Sequence, residues 1–551
     1  MTSSLPFDKV PFTRYGSYFA VSMEPDGEIY IRDLHGGDMA PTRLYKLRYE
    51  GADAHEVISQ MSESRLEQTF GCGICNISIG KDDTLHINVK GGIVHLEAVS
   101  ARYDSLISLS KLCWEHQFYS QNTKIAIAGK GTVYANIDWR MTESENASIT
   151  LDGRQQNADC VLKSYKAVPT TAPKPDFNGT AEESAKDYSL WLNGANIADG
   201  TTRLAHYILW GNFVRAEGCL RYDAMYMNKL AMGNIWSWDN CFGAIALART
   251  HPETAFEQIK VLFECQDASG VLPDYINDTF ASYSCTKPPI YGFTAVKLRE
   301  RSDYFKHREV TKYLYDKISQ LTGFWCNHRI DEHLCLPRYY HGNDSGWDNA
   351  SVFHAGVPVC SPDLSAYLIL QMDTLAELAC ELDRKAEETE WKRRADKLFS
   401  IMMERLHINS GFVTLLCEDG SFDTNAKSLL NLLPVVIWYR LSNEILAELV
   451  STLEKSFEQE YGLSTESPSS VYYKKGGYWL GPIWAPVSYI FIDSLRKAKY
   501  ENIATRLAEK FHKLPQISGM AENFDPVTGE GYDDNAFAWT ASVYLTLKDE
   551  Y

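Results

Sequence analysis

The period of the apolar residues changes once along this chain, and that change constrains the fold more than any other feature of its 551 residues. From about residue 10 to 165, apolar and polar residues alternate in short runs at 17–22, 28–32, 84–89 and 93–99. A period of two turns one face of a strand toward a core. Lys90-Gly91-Gly92 lies between two such runs and predicts a hairpin of 84–89 with 93–99; 123–128 and 132–137 predict a second. Several short strands with turns between them indicate a β-sandwich over residues 1–165. Pro169, Pro173 and Pro175, set among Thr, Ala and Gly without periodicity, mark 166–185 as a linker.

From 186 to 551 the period is helical. Val310, Tyr313, Leu314, Ile318 and Leu321 share a face, as do Trp391, Ala395, Leu398 and Met402, and Ile503, Leu507, Phe511 and Leu514. About a dozen such segments, joined by long aromatic-rich connections, predict an (α/α)6 toroid of six outer and six inner helices. The expected fold is therefore an N-terminal β-sandwich followed by an (α/α)6 barrel, two domains in a chain too long for one.

Net charge narrows the partners. At −18 the chain lacks the clustered Lys and Arg that phosphate recognition needs, so nucleic acid is not expected. No run of 18 apolar residues is present and residues 1–6 carry no signal-like pattern, so neither a membrane span nor secretion is expected. Thirteen cysteines, an odd and scattered set, fit reduced thiols and a cytoplasmic location. Cys72-Gly73-Ile74-Cys75 has no second pair at zinc-ligand spacing, so no metal site is expected.

The chemistry lies in the connections. His341-Gly342-Asn343-Asp344-Ser345-Gly346-Trp347-Asp348-Asn349-Ala350 is a Gly- and Asn-rich loop with a carboxylate beside an indole. Such a pair offers a sugar a stacking face and a proton donor or acceptor, although an Asx-turn or a helix cap would use Asp348 equally well. Ile235-Trp236-Ser237-Trp238-Asp239 leads into a helix that Asp239 could cap. Pro337-Arg338-Tyr339-Tyr340, Gly476-Gly477-Tyr478-Trp479-Leu480-Gly481-Pro482-Ile483-Trp484, Ala521-Glu522-Asn523-Phe524-Asp525 and Phe537-Ala538-Trp539 share this composition. If these loops meet at one mouth of a toroid, two carboxylates can flank a sugar, which is what glycosidic cleavage requires.

In order and composition these segments resemble those of α/α-barrel glycosidases, namely glycoside hydrolase family 63 and the similar trehalases and mannosylglycerate hydrolases. Five pieces carry the likeness: Trp236-Ser-Trp238-Asp239, Ser345-Gly346-Trp347-Asp348-Asn349, Tyr478-Trp479-Leu-Gly481-Pro482-Ile-Trp484, Glu522-Asn523-Phe524-Asp525-Pro526 and Phe537-Ala-Trp539-Thr540-Ala541. The resemblance implies an inverting, exo-acting hydrolase of α-glucosidic or α-mannosidic bonds in a small carbohydrate, with Asp348 as general acid and Glu522 as general base. It further implies sugar contacts from Trp236, Trp238, Asp239, Asn349 and Trp539, walls from Trp347, Trp479 and Trp484, and a ligand or carboxylate contact from Arg338. Such an enzyme needs no organic cofactor and no catalytic metal; a structural calcium ion and the oligomeric state stay open. Asn343-Asp344 stands where many relatives carry Glu, and Phe524 and Asp525 replace the commoner Tyr and Asn. A phosphorylase and a non-catalytic carbohydrate-binding protein are the competing readings. Asp348 would have to hold its proton near neutral pH and Glu522 would have to be ionised.

Overall fold

The computed structural model describes residues 4–168 and 173–551. Fourteen strands come first: β1 (Phe19–Met23), β2 (Ile29–Asp33), β3 (Arg43–Tyr49), β4 (Ile58–Met61), β5 (Leu66–Phe70), β6 (Gly73–Ile79), β7 (Thr84–Lys90), β8 (Ile93–Ala98), β9 (Ser105–Ser110), β10 (Cys113–Phe118), β11 (Thr123–Lys130), β12 (Val133–Arg140), β13 (Glu143–Asp152) and β14 (Ala158–Tyr165). They form two antiparallel sheets, ordered β1-β2-β3-β8-β13-β12 and β4-β5-β6-β7-β14-β11-β10-β9. Side chains of the two sheets meet between them: Tyr45 on β3 bonds His116 Nδ1 on β10 at 2.9 Å, and Tyr49 donates to Gln68 Oε1 on β5 at 2.6 Å. Burial drives the His116 imidazole down to about 3, so it sits in this core uncharged.

Neither expected hairpin forms. β7 pairs with β6 and β14 while β8 pairs with β3 and β13, and β11 and β12 likewise lie in different sheets. The tight turns are there, but each carries the chain from one layer to the other. Gly91 (φ +70°) and Gly131 (φ +81°) make the crossings; a Cβ would come within 2.6 Å of the Cys72 carbonyl at the first and 2.4 Å of the Asn157 carbonyl at the second.

Of the stretch read as a linker, residues 169–172 lie outside the described residues. Helix α1 (Phe177–Leu192) begins within it, its first turn capped by Asp176 through the Gly179 amide at 3.0 Å. Phe177, Ala181 and Tyr188 are buried; the helix packs against β6 and β7, and Tyr188 lies edge-on to Trp210 at 5.1 Å. With α2 (Gly200–Gly211), this helix belongs to a first compact unit that runs to Asn234 and includes Asn277–Phe280; the second comprises Ile235–Ile276 and Ala281–Tyr551. The boundary thus differs from the expected one near 165–186. Helix α1 buries its apolar face against β6 and β7, and a change of hydrophobic period marks a change of element, not of compact unit.

The second unit holds α3 (Asp239–Leu247), α4 (Pro252–Phe263), α5 (Tyr291–Arg301), α6 (Arg308–His328), α7 (Pro362–Glu381), α8 (Lys385–Leu406), a kinked 3-10 run (Leu429–Arg440), α9 (Asn443–Ser456), α10 (Ala485–Lys497), α11 (Glu501–Ser518) and α12 (Ala538–Glu550). Contacts run from α3 to α5, α7, the 3-10 run, α10 and α12, and α12 returns to α3, closing an inner ring. Inner segments are buried nearly all round: most of α7 and α10 is inaccessible. α4, α6, α8, α9 and α11 each bury one stripe, such as Trp391, Ala395, Leu398 and Met402 on α8, as an outer layer must. The connection from an inner segment to the next outer helix is short. The connection from an outer helix back inward is long, as at 264–290, 329–361, 457–484 and 519–537. Every long connection therefore delivers the chain to the N-terminus of an inner segment. Among the described residues no helix is long and apolar enough to cross a membrane.

Candidate active site

Three of these connections and the segment that leads into α3 are tied into one cluster. Asn349 stitches two of them: its side-chain amide donates to the Gly477 carbonyl at 3.0 Å and its oxygen accepts from the Trp479 amide at 2.9 Å. Between those two contacts Tyr478, held at φ +64°, donates from its hydroxyl to Glu522 Oε1 at 3.0 Å. A non-glycine residue at positive φ is strained, and here the Asn349 bridge on either side holds it. Glu522 is anchored in turn: Trp539 Nε1 donates to its carbonyl at 3.1 Å and its amide donates to the Asp534 carbonyl at 2.8 Å. The loop before α7, the loop before α10 and the loop before α12 are thereby joined through side chains.

The fourth loop enters through Trp238. Its ring lies 6.1 Å from that of Trp479 and 6.0 Å from that of Trp539. Gly346 (φ +73°) passes so close that a Cβ would sit 2.7 Å from the Trp238 indole. Trp347 stacks on Trp479 at 4.8 Å and Trp479 on Trp484 at 3.9 Å, with Trp484 edge-on to Trp539 at 5.3 Å. Trp238, Trp347, Trp479, Trp484 and Trp539 are each at most 4% exposed. They form a packed block, not the open stacking walls expected of Trp347, Trp479 and Trp484. Trp236, half-buried beside Tyr275 at 5.7 Å, and Tyr478 keep accessible ring surface.

Electrostatics distinguish the carboxyls. Asp239 is the first residue of α3 but caps nothing, and its Oδ2 is buried without a hydrogen-bond partner among the described residues. Burial pushes it up to about 8, with Asp274 and Asp348 adding to the effect while Lys287 opposes it. Asp348, half-buried, is also raised, by burial and by Asp274 against the pull of Lys287 and His341. That is the direction expected for a proton donor. Glu522 departs from expectation: burial, then Asp533 and Asp534, push it up to about 8, and the Tyr478 hydroxyl only partly offsets them. At neutral pH Glu522 therefore favours its protonated form.

Arg338 stands apart from this cluster. Its guanidinium pairs with Asp331 at 3.0 Å and lies 5.4 Å from the Tyr340 ring centre. Asp344, at the departure from the resemblance, is structural glue: it accepts from the Thr286 and Tyr340 amides, both at 2.8 Å, and from Arg329 at 3.0 Å. Three further residues of the cluster, Tyr478, Asp274 and Lys287, carried no distinguishing signal. Tyr478 lies inside a segment singled out for its Gly and Trp content, whereas Asp274 closes a Gly- and Pro-bearing stretch that reads only as a turn and Lys287 lies before a Pro-Pro pair that reads likewise. Among the described residues, His35, Asp83 and Glu217 bring ligand-type atoms within 4.8 Å of one another. Arg215 pairs with both carboxylates, Lys166 with Glu217 at 3.0 Å, and His35 Nδ1 with Asp33 at 2.5 Å. Cations already occupy these oxygens, so the set does not fit a calcium ion, which requires six to eight oxygen ligands.

The closed inner ring and its outer helices agree with an (α/α)6 fold, and comparison with known proteins gives the class as a glycoside hydrolase. Residues 232–540 match the family described as the mannosylglycerate hydrolase MGH1-like glycoside hydrolase domain, and the chain belongs to that family. The mannosylglycerate hydrolase of Rubrobacter radiotolerans is 23% identical over 398 residues, 57% of this chain and 90% of that protein. The mannosyl-oligosaccharide glucosidase of Saccharomyces cerevisiae is 30% identical over 124 residues, 15% of its length and 19% of this chain. Among solved structures, a bacterial glucoamylase complexed with acarbose has the same fold at 12% identity, with a TM-score of 0.66 over 99% of this chain and 94% of that one. The family 63 mannosylglycerate hydrolase of Thermus thermophilus in complex with glucose aligns at 22% identity with a TM-score of 0.55, over 63% of this chain and all of the other.

Proposed function

We propose that this protein is an inverting, exo-acting hydrolase of an α-mannosidic or α-glucosidic bond in a small glycoside, with Asp348 as general acid and Glu522 as general base. The observation that carries the reading is the Asn349–Tyr478 bridge, which couples the Asp348 loop to Glu522 through three hydrogen bonds. Asp348 donates its proton to the leaving oxygen as the glycosidic bond breaks. Glu522 takes a proton from a water that attacks the anomeric carbon from the opposite face. Trp236 and Tyr478 supply accessible apolar surface for the sugar, and the unpartnered Oδ2 of Asp239 accepts from a sugar hydroxyl. No organic cofactor or metal takes part in this scheme. Mannosylglycerate is the first substrate to test, because relatives similar to this chain over most of their length carry that name.

A panel of mannosylglycerate, α-mannosides and α-glucosides tests the reading. Asp348→Asn and Glu522→Gln should each lower kcat by about two orders of magnitude or more while the circular dichroism spectrum is unchanged. Near-normal turnover by either folded variant would remove that residue from its role.

A further inference from the structure

Lys287 lies at the junction of three carboxyl-bearing segments. Its side chain is 7% exposed, its Nζ lies 3.0 Å from Asp274 Oδ1, and it donates to the Asn343 carbonyl at 3.0 Å. Asn343 belongs to the short 3-10 turn Gly342–Ser345 that leads into Gly346, Trp347 and Asp348. Asp274 lies on the connection between α4 and α5, and Asp239 opens α3. A buried lysine normally loses its proton, yet Asp274, Asp348 and Asp239 keep this one charged. Lys287 in turn is the foremost influence opposing burial at both Asp239 and Asp348. The titratable and charged groups that face Asp348 are Lys287, Asp274, Asp239, Tyr478 and Cys285 from the segments beside it and His341 from its own loop.

We propose that Lys287 is a positioning residue for the hydrolysis: through the Asn343 carbonyl and Asp274 it fixes the Asp348 loop, and its ammonium is the counter-charge against which Asp348 gives up and regains its proton. The inference rests on the reading of Asp348 as proton donor. It adds a residue that neither touches the reacting atoms nor belongs to any of the Trp-rich segments. The cation makes ionisation of Asp348 easier once the proton has been passed to the leaving group, and Asp274 works in the opposite sense. A merely structural lysine would have no such paired dependence on charge.

The test is the titration of the Asp348 carboxyl, followed by infrared difference spectroscopy with Asp348→Asn as the subtraction control, in wild type, Lys287→Met and Asp274→Asn. Lys287→Met should move that titration up by about one pH unit or more, the scale of a full charge at close range, and Asp274→Asn should move it down. Lys287→Arg keeps the charge and should leave the titration in place. With mannosylglycerate as probe, Lys287→Met should also lower kcat about tenfold or more, through the misplaced acid. If Asp348 titrates alike in wild type and Lys287→Met, the proposal is wrong; where Lys287→Met does not fold, an unmoved titration in Asp274→Asn overturns it equally. Failure of the underlying reading is separable: Asp348→Asn would then retain turnover, whatever the titrations show.

Discussion

At the residue scale, the proton affinity of Glu522 is the sharpest consequence of the structure. A carboxyl ordinarily near 4.5 is carried to about 8 by burial and by Asp533 and Asp534. Between those two values the folded state binds more protons than the unfolded chain, so this group's contribution to stability is full below about 4.5 and is lost as pH rises through about 8. Glu522→Gln removes that loss and should raise Tm over wild type at pH 8, by the equivalent of a few kcal/mol at most, with little difference at pH 4. Equal Tm shifts at both pH values would contradict the assignment. As a base, Glu522 should give kcat/KM a limb that still climbs with pH toward about 8. The Tyr478 hydroxyl favours the ionised form, so Tyr478→Phe should move this limb to higher pH with the fold intact. A kcat/KM that falls through the same pH would exchange the roles of Glu522 and Asp348.

At the scale of elements, the site is built by loop-to-loop contact. Gly346 is the critical joint, because Trp238 of another connection fills the space its side chain would take. Gly346→Ala should destabilise by about 1–3 kcal/mol and reduce kcat by displacing Asp348, two residues on; denaturant unfolding and steady-state kinetics together check this. Trp479→Ala, in the middle of the stacked block, should cost about 3–5 kcal/mol. Much of this arrangement was legible in the sequence. Alternation and helical spacing gave the element types, and the recurrence of Trp, Gly and carboxylate in widely separated loops indicated that they converge. Burial of five indoles against one another was not legible, because a Trp reads alike whether it faces a ligand or a neighbouring Trp. Nor was the partner choice of β7 and β8: a Gly-Gly turn fixes a reversal, but which sheet receives the second strand depends on distant segments such as β3 and β13. The role of Lys287 needs three loops to be placed first, so its immediate sequence holds no trace of it.

In the molecule as a whole, the inner ring closes only where α12 meets α3. α12 buries Trp539, Thr540 and Val543 among others, and Trp539 holds the Glu522 carbonyl. Removing residues 538–551 should therefore cost both the cooperative unfolding transition of the helical unit and all activity; retention of a wild-type Tm would show that closure contributes little. The long connections all arrive at the N-termini of inner segments, so ring closure and assembly of the site are one event. The central claim is that two carboxyls from opposite stretches of this ring act on opposite faces of one sugar. Proton NMR of the first product released from an α-linked substrate tests it most directly. The β-anomer should appear first and mutarotate afterward. Initial release of the α-anomer would mean retention through a covalent intermediate and would contradict the roles given to Asp348 and Glu522.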